Sequence, residues 1–84
     1  MTISFTETAW DDYLYWQKSD RNTLKRVNML LRDIQRSPFE GIGQPEALRF
    51  GLAGCWSRRI NLEHRLVYSV AGEVVTVLQC RYHY

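Results

Sequence analysis

Apolar residues recur at three- and four-residue steps through the first half of the chain and at alternate positions beyond Leu48, so the pattern predicts helices first and strands after them. Residues 3–5 alternate weakly with Thr2 and Ser4 and predict a short strand, and Thr6 ahead of Glu7 marks a helix start. A helix over residues 7–18 carries Ala9, Trp10, Tyr13, Leu14 and Trp16 or Gln17 on one face. Trp10, Tyr13 and Trp16 are assigned to packing rather than to base stacking. Asp11 and Asp12 fall where the helix dipole favours carboxylates and where they would repel RNA, so no catalysis is assigned to them. Ser19-Asp20 breaks the pattern and caps a second helix over residues 21–35, whose stripe is Leu24, Val27, Leu30, Leu31 and Ile34. Lys25, Arg26, Arg32 and Arg36 lie on its outer and terminal parts, a solvated face with an RNA contact as the alternative.

Ser37-Pro38-Phe39-Glu40-Gly41 ends that helix, and Gly41, Gly43 and Pro45 stiffen an irregular connection of about ten residues. It is no phosphate loop, because no Gly-Lys-Ser/Thr follows. What it delivers is Glu46. Strands are predicted over residues 48–50, 56–61, 64–70 and 74–82, and their short connections make them antiparallel neighbours. His64, Leu66, Tyr68 and Val70 should meet the helices, which turns Arg65, Val67 and Ser69 away. On the last strand Gln79, Arg81 and His83 point to one side, with Leu78, Cys80 and Tyr82 on the other. With an odd number of residues in both turns, Arg59, Arg65, Arg81 and His83 gather on one open face. The expected architecture is α+β: a short N-terminal strand, then two helices packed on one face of a C-terminal antiparallel sheet.

A chain of 84 residues with 45% hydrophobic content supports one domain, residues 1–84, with one core. No run reaches the length of a membrane span, and the N-terminus lacks the basic start and apolar stretch of a secretory signal, so a cytosolic location is expected. In that setting Cys55 and Cys80 are expected to be free thiols in or near the core. Two histidines without ligand pairs at metal-site spacing give no reason to expect a metal or other cofactor. The formal net charge of +2 divides unevenly: residues 1–46 sum to −1 and residues 47–84 to +3, the latter cations all arginine. Arginine presents a planar fork of donors suited to phosphate, which leans the reading toward a polyanion.

Cleavage of RNA needs a base for the 2′-hydroxyl, an acid for the leaving 5′-oxygen and cations for the charge on phosphorus. Glu46, His83 and Arg65 can fill these roles without a metal. Arg59 and Arg81 can bind flanking phosphates, and Tyr82 or Tyr84 can stack on a base or bond a phosphate. The same arginines can instead pair with Glu63 and Glu73. On residue chemistry alone, a nuclease and a non-catalytic RNA or protein binder stand level. A Ser or Cys hydrolase ranks below both, because neither nucleophile has a convincing His and carboxylate partner.

The segments Trp10-Asp11-Asp12-Tyr13-Leu14-Tyr15-Trp16, Pro38-Phe39-Glu40-Gly41, Pro45-Glu46, Trp56-Ser57-Arg58-Arg59-Ile60, Glu63-His64-Arg65-Leu66-Val67-Tyr68 and Arg81-Tyr82-His83-Tyr84 together separate the readings. Through them the chain resembles, over essentially its whole length, the YoeB family of bacterial type II toxins, ribosome-dependent mRNA interferases of the RelE superfamily. The resemblance implies a microbial-ribonuclease-like fold, cleavage of mRNA in the ribosomal A site, and neutralisation by a YefM-like antitoxin whose disordered C-terminal segment folds over the toxin. It also implies that Glu46 is the general base, Arg65 the transition-state arginine and His83 the general acid, with Tyr84 shaping the site. Arg49 stands where the family commonly has lysine, and Phe50-Gly51 and Cys55 also depart from the family pattern. Dimers are frequent in the family, and an exposed aromatic first helix is compatible with one. An extension beyond Tyr84 is expected to cross the site.

Overall fold

The computed structural model describes all residues from Met1 to Tyr84, and its elements follow the change of period. Strand β1 (Thr2–Phe5) leads into helix α1 (Glu7–Ser19), and α2 (Arg21–Arg36) follows after the single residue Asp20. The short strand β2 (Glu46–Ala47), a 3-10 turn (Phe50–Leu52), and β3 (Cys55–Arg59), β4 (Arg65–Ala71) and β5 (Val74–Gln79) complete the fold. Both helix starts use the side chains expected. Thr6 Oγ1 accepts the Ala9 N–H at 3.2 Å, and Asp20 Oδ1 accepts the Asn22 and Thr23 N–H groups at 3.1 Å. The Thr23 N–H, with the Thr23 hydroxyl donating to Oδ2 at 2.8 Å and the Asn22 N–H, holds the Asp20 carboxyl below the usual carboxylate range.

The α+β class holds, and the sheet has five strands in the order β1-β5-β4-β3-β2. It is mixed: β1 joins the edge parallel to β5, while the other pairs are antiparallel. Both helices lie on one face. There Ala9 and Trp16 of α1 and Val27, Leu30 and Ile34 of α2 meet Ile60, Leu66, Tyr68, Val75, Val77 and Cys80 in one buried cluster. Each fully buried large apolar side chain contributes about 1.5–3 kcal/mol, and this cluster is the main source of stability. Trp10 packs against Phe5 and Tyr13, with ring centroids 5.6 and 5.7 Å away, but it lies outside the buried core and is 47% exposed. Both cysteines are free, and burial pushes the Cys80 thiol up to about 12. No helix is long and apolar enough to cross a membrane.

Three strand expectations need correction. The segment expected as a strand over residues 48–50 turns instead, and the strand lies earlier, at Glu46–Ala47. The β4–β5 turn holds two residues, Gly72 and Glu73, since Ala71 pairs with Val74. That even count puts Val75 and Val77 on the helix face. Parity is restored by a bulge: Tyr68 pairs with Val77 but Val67 with Gln79, leaving Leu78 as the extra residue. The last strand ends at Gln79, three residues before the expected end.

One fully buried cation organises the loop between α2 and β2. Arg58 sits on β3 in phase with Trp56, on the helix face, and is inaccessible to solvent. Its Nε donates to Tyr68 Oη at 3.1 Å. Nη1 donates to Asp33 Oδ2 at 2.6 Å and to the Ile42 carbonyl at 2.9 Å, and Nη2 to the Ser37 and Glu40 carbonyls at 2.7 and 3.1 Å. Tyr68 Oη in turn donates to the Pro38 carbonyl at 2.6 Å. The loop passes so close that a β-carbon on Gly41 would lie 2.0 Å from Asp33 Oδ2, at a φ of +127° that L side chains rarely adopt.

The Arg58 bond, followed by the Ile42 N–H, holds the Asp33 carboxyl below the usual carboxylate range. Its contribution to stability is complete above the ordinary carboxylate pKa of ~3.9 and is lost as pH falls through the depressed folded value. Denaturant midpoints measured across pH should show Asp33→Asn less stable than the parent protein at pH 7, with the gap closing below about pH 4. Arg58→Met should lose about 3–5 kcal/mol at pH 7, because it leaves three loop carbonyls without donors and the Asp33 carboxylate without its buried cation.

Candidate active site

The face of the sheet turned from the helices is polar and forms a cleft of ≈ 390 Å³. Register explains its membership. Glu46 pairs with Ser57 across β2–β3 and Arg59 with Arg65 across β3–β4, so all four project to the same side. His83 and Tyr84 close the cleft from the C-terminal segment, and Gln44 and Pro45 close it from the loop. Glu46, Arg65 and His83 therefore line one cleft, together with Arg59 and Tyr84. Two expected substrate-binding residues do not line it: Arg49 and Arg81.

Arg65 is buried but not fully bonded. Its Nη1 donates to the carbonyls of Asn61 at 2.8 Å and His64 at 3.0 Å, with a longer contact to Leu62 at 3.4 Å. Nε and Nη2 have no hydrogen-bond partner in the protein. The guanidinium is thus fixed by one nitrogen and presents a two-donor edge to the cleft, a geometry matched to two phosphate oxygens. Arg59 is exposed, and its guanidinium has no acidic partner; the pairing with Glu63 or Glu73 is not formed. Its backbone is fixed by N–H donation to the Gly43 carbonyl at 2.7 Å, which ties β3 to the loop that carries Glu46.

The C-terminal segment leaves the sheet after Gln79 and is held by side chains from two other elements. From α1, Asp12 Oδ2 accepts the Cys80 N–H at 3.1 Å and Trp16 Nε1 donates to the Cys80 carbonyl at 2.7 Å. Burial raises the Asp12 carboxyl above its usual range, against the opposing pull of the Cys80 N–H and Arg81. At the start of β4, His64 Nδ1 accepts the Tyr82 N–H at 2.7 Å, and the Arg65 N–H donates to the Tyr82 carbonyl at 3.0 Å. Tyr82 is held at φ +66°, left-handed for a residue with a β-carbon. This clamped turn redirects the chain, and His83 and Tyr84 follow it into the cleft.

The same turn removes Arg81 from the face where strand alternation would have put it. Its guanidinium lies 3.4 Å from the centroid of the Tyr15 ring on α1 and 4.5 Å from that of Tyr82. Its Nε is buried with no hydrogen-bond partner. Arg81 is thus a strut between the tail and α1. Arg49 stands on the far side of Glu46, in a neighbouring depression.

His83 Nδ1 lies 3.0 Å from the Tyr84 main-chain oxygen, and the two rings are 4.6 Å apart. Donation from Nδ1 orients the imidazole and leaves Nε2 for the cleft. The carboxylate, the imidazole and the two-donor edge of Arg65 together give one wall that can accept a proton, one that can donate one, and a cationic floor between them. No group of three or more His, Cys, Asp or Glu side chains comes together as a metal site. Sequence reasoning missed His64, whose acceptor nitrogen sets the tail, and Arg58, which sets the loop. Both lie on the core-facing phase of their strands, and that placement of a polar group was the available signal.

Comparison with known proteins identifies the family. Residues 5–84 match the family model described as YoeB-like toxin of bacterial type II toxin-antitoxin system. The chain is 54% identical over its whole length to Toxin YoeB of Synechocystis, covering 98% of that protein, and 51% identical to Toxin YoeB of Escherichia coli K12, covering all of it. The solved YoeB/ParE toxin from Agrobacterium tumefaciens superposes with a TM-score of 0.97 at 46% identity, each chain covered completely. A YoeB dimer from Staphylococcus aureus superposes with a TM-score of 0.93 at 46% identity, covering all of this chain and 98% of that one. With a family model matched from Phe5 to the final residue and relatives at half identity across their full length, the chain belongs to the YoeB family of toxins from bacterial type II toxin-antitoxin systems.

Proposed function

We propose that the protein is an endoribonuclease that cleaves mRNA in the ribosomal A site and so stops translation. The observation that carries this reading is the convergence of Glu46, Arg65 and His83 on one cleft from three separate parts of the chain. Glu46 takes the proton from the 2′-hydroxyl. The freed oxygen attacks phosphorus, the bond to the 5′-oxygen breaks, and His83 gives that oxygen a proton from Nε2. The products are a 2′,3′-cyclic phosphate and a 5′-hydroxyl. Arg65 donates from Nε and Nη2 to the non-bridging oxygens as they gain charge. Arg59, exposed and without an acidic partner, binds a flanking phosphate, and Tyr84 shapes the pocket beside His83.

The partners follow from the same reading. mRNA and ribosome supply the substrate and its conformation, since a single-stranded bond free to splay presents its 2′-hydroxyl in line. A solved relative from Staphylococcus aureus is a heterotetrameric YoeB-YefM toxin-antitoxin complex. A YefM-like antitoxin, with a disordered C-terminal segment that folds on binding, is accordingly the partner proposed here, and the Staphylococcus aureus dimer supports a homodimer. Such a toxin acts in the cytoplasm, where ribosomes translate.

Single-turnover cleavage on ribosomes programmed with mRNA tests the assignment. Glu46→Gln and His83→Ala should each lower the rate by roughly 10²-fold or more, and Arg65→Ala by a similar factor, with ends mapping to a cyclic or 3′-phosphate and a 5′-hydroxyl. Full cutting by both Glu46→Gln and His83→Ala would overturn it. Translation arrest with intact mRNA would instead assign a non-catalytic ribosome-binding inhibitor.

The clamp on Tyr82 gives a separate expectation. His64→Phe keeps a ring against Trp16, now 4.7 Å away, but removes the acceptor for the Tyr82 N–H. The variant should remain folded by circular dichroism yet cut about ten- to a hundredfold more slowly, since His83 is no longer aimed.

A further inference from the structure

Beyond Glu46 and Tyr84, and sharing both residues with the cleft, lies a second depression of ≈ 500 Å³ that the proposed chemistry does not use. Ala47, Leu48 and Leu52 give it an apolar lining, and Arg49 supplies a cation. Phe50 completes it. This ring is 91% exposed, and its backbone is at φ +59°, a conformation an aromatic residue with a β-carbon rarely adopts. The turn holds it there through the Leu52 N–H to the Arg49 carbonyl at 3.2 Å and the Ala53 N–H to the Phe50 carbonyl at 3.0 Å. A side chain that adds almost nothing to the core is thus kept in a disfavoured backbone state beside the cleft.

We propose that this depression is a nucleobase subsite, in which an unstacked base of the RNA strand lies against the face of Phe50. The strand's identity rests on the nuclease reading above. Three features select a base as the occupant. The slot is continuous with the cleft through Glu46 and Tyr84, so a nucleotide whose phosphate sits at Arg65 reaches it without a break in the strand. Its lining is apolar with an accessible aromatic ring, which suits the π-face of any base. Its one cation, Arg49, suits the sugar-phosphate backbone rather than a second apolar surface.

The shared wall also selects the nucleotide. Glu46 borders both depressions, whereas His83 borders only the cleft. Glu46 takes the 2′-hydroxyl proton, so the base in the slot belongs to the nucleotide carrying that hydroxyl. Phe50 is then a substrate-binding residue that holds this base in place, and Arg49 positions the strand beside it.

The test compares single-turnover cleavage of ordinary mRNA with mRNA that is abasic at the nucleotide carrying the attacked hydroxyl, both on programmed ribosomes. The parent protein should lose about tenfold in kcat/KM on the abasic strand, the scale of one base–aromatic stack. Phe50→Ala should lose about tenfold on ordinary mRNA and nothing further on the abasic strand, and Phe50→Trp should recover most of the loss. Unchanged cleavage by Phe50→Ala, or losses that simply add, would overturn the subsite. So would loss of antitoxin binding by Phe50→Ala with cleavage intact, which would make the ring a protein contact. Melting curves check that both variants are folded. Should the parent protein cut nothing, the nuclease reading fails by itself. Fluorescence of 2-aminopurine at that nucleotide in 2′-O-methyl mRNA then decides. Quenching by the parent protein but not by Phe50→Ala upholds the subsite, and equal signals reject it.

Discussion

The five hydrogen bonds of Arg58 are the constraint from which the shape of the site follows. A guanidinium has five N–H donors, and here each has its own acceptor: one hydroxyl, one carboxylate and three loop carbonyls. Burying a cation is unfavourable unless its donors are all met, and a buried pair is often replaceable by apolar groups of similar volume. That replacement is not open to this protein without a new loop. The Ser37, Glu40 and Ile42 carbonyls point inward and would lose their only donor. Arg58 thus fixes the path of residues 37–42, and the path delivers Gly43, whose carbonyl ties to Arg59, and then Glu46. The proposed general base owes its position to a cation on the opposite face of the sheet.

The acid side of the cleft depends on a different kind of anchor. The C-terminal segment has no strand partner after Gln79, yet the polar backbone atoms of Cys80 and Tyr82 are bonded, by Asp12, Trp16, His64 and the Arg65 amide. Side chains have replaced a ladder. A ladder would have continued the alternation and left His83 projecting from a flat strand. The side-chain anchors instead allow the left-handed residue at Tyr82 and the change of direction that brings His83 into the cleft lined by Arg65. The arrangement is costly in backbone preference at Tyr82, in the raised carboxyl of Asp12 and in the unpartnered Nε of Arg81. Strain and imperfect polar satisfaction concentrated beside a cleft are what a functional constraint predicts.

Local periodicity made the elements legible, and their joints were less so. The stripe of α2 and the caps at Thr6 and Asp20 could be read because each depends only on residues within one or two turns. The shared face of Arg59 and Arg65 could be read because the β3–β4 loop keeps parity. Beyond that, parity failed twice, at the two-residue turn Gly72-Glu73 and at the Leu78 bulge, and the second reversed the first. Nothing local in Leu78 announces a bulge, since it depends on how β5 meets β1 and β4 together. Arg81 was misplaced because the end of β5 is set by Asp12 and Trp16, nearly seventy residues earlier in sequence. Glu46 was found as a carboxylate following a proline, but its link to the cleft required register that periodicity does not supply.

The arginines show how far composition can mislead about electrostatics. An excess of +3 in the second half suggested a surface for a polyanion, yet the five cations behind it are spent in different ways. Arg58 is wholly bonded inside the fold, and Arg81 is stacked between tyrosines. Arg65 is half engaged, held by Nη1 and open at Nε and Nη2. Arg59 and Arg49 alone are free. Arg58 and Arg59 are neighbours in sequence, and strand alternation sends one to the core and the other to the cleft. The anion-binding capacity of this surface therefore rests on Arg59 and Arg65, which register places in the cleft with Glu46, and on Arg49 in the neighbouring depression, and their geometry rather than the net charge makes it suited to a phosphate.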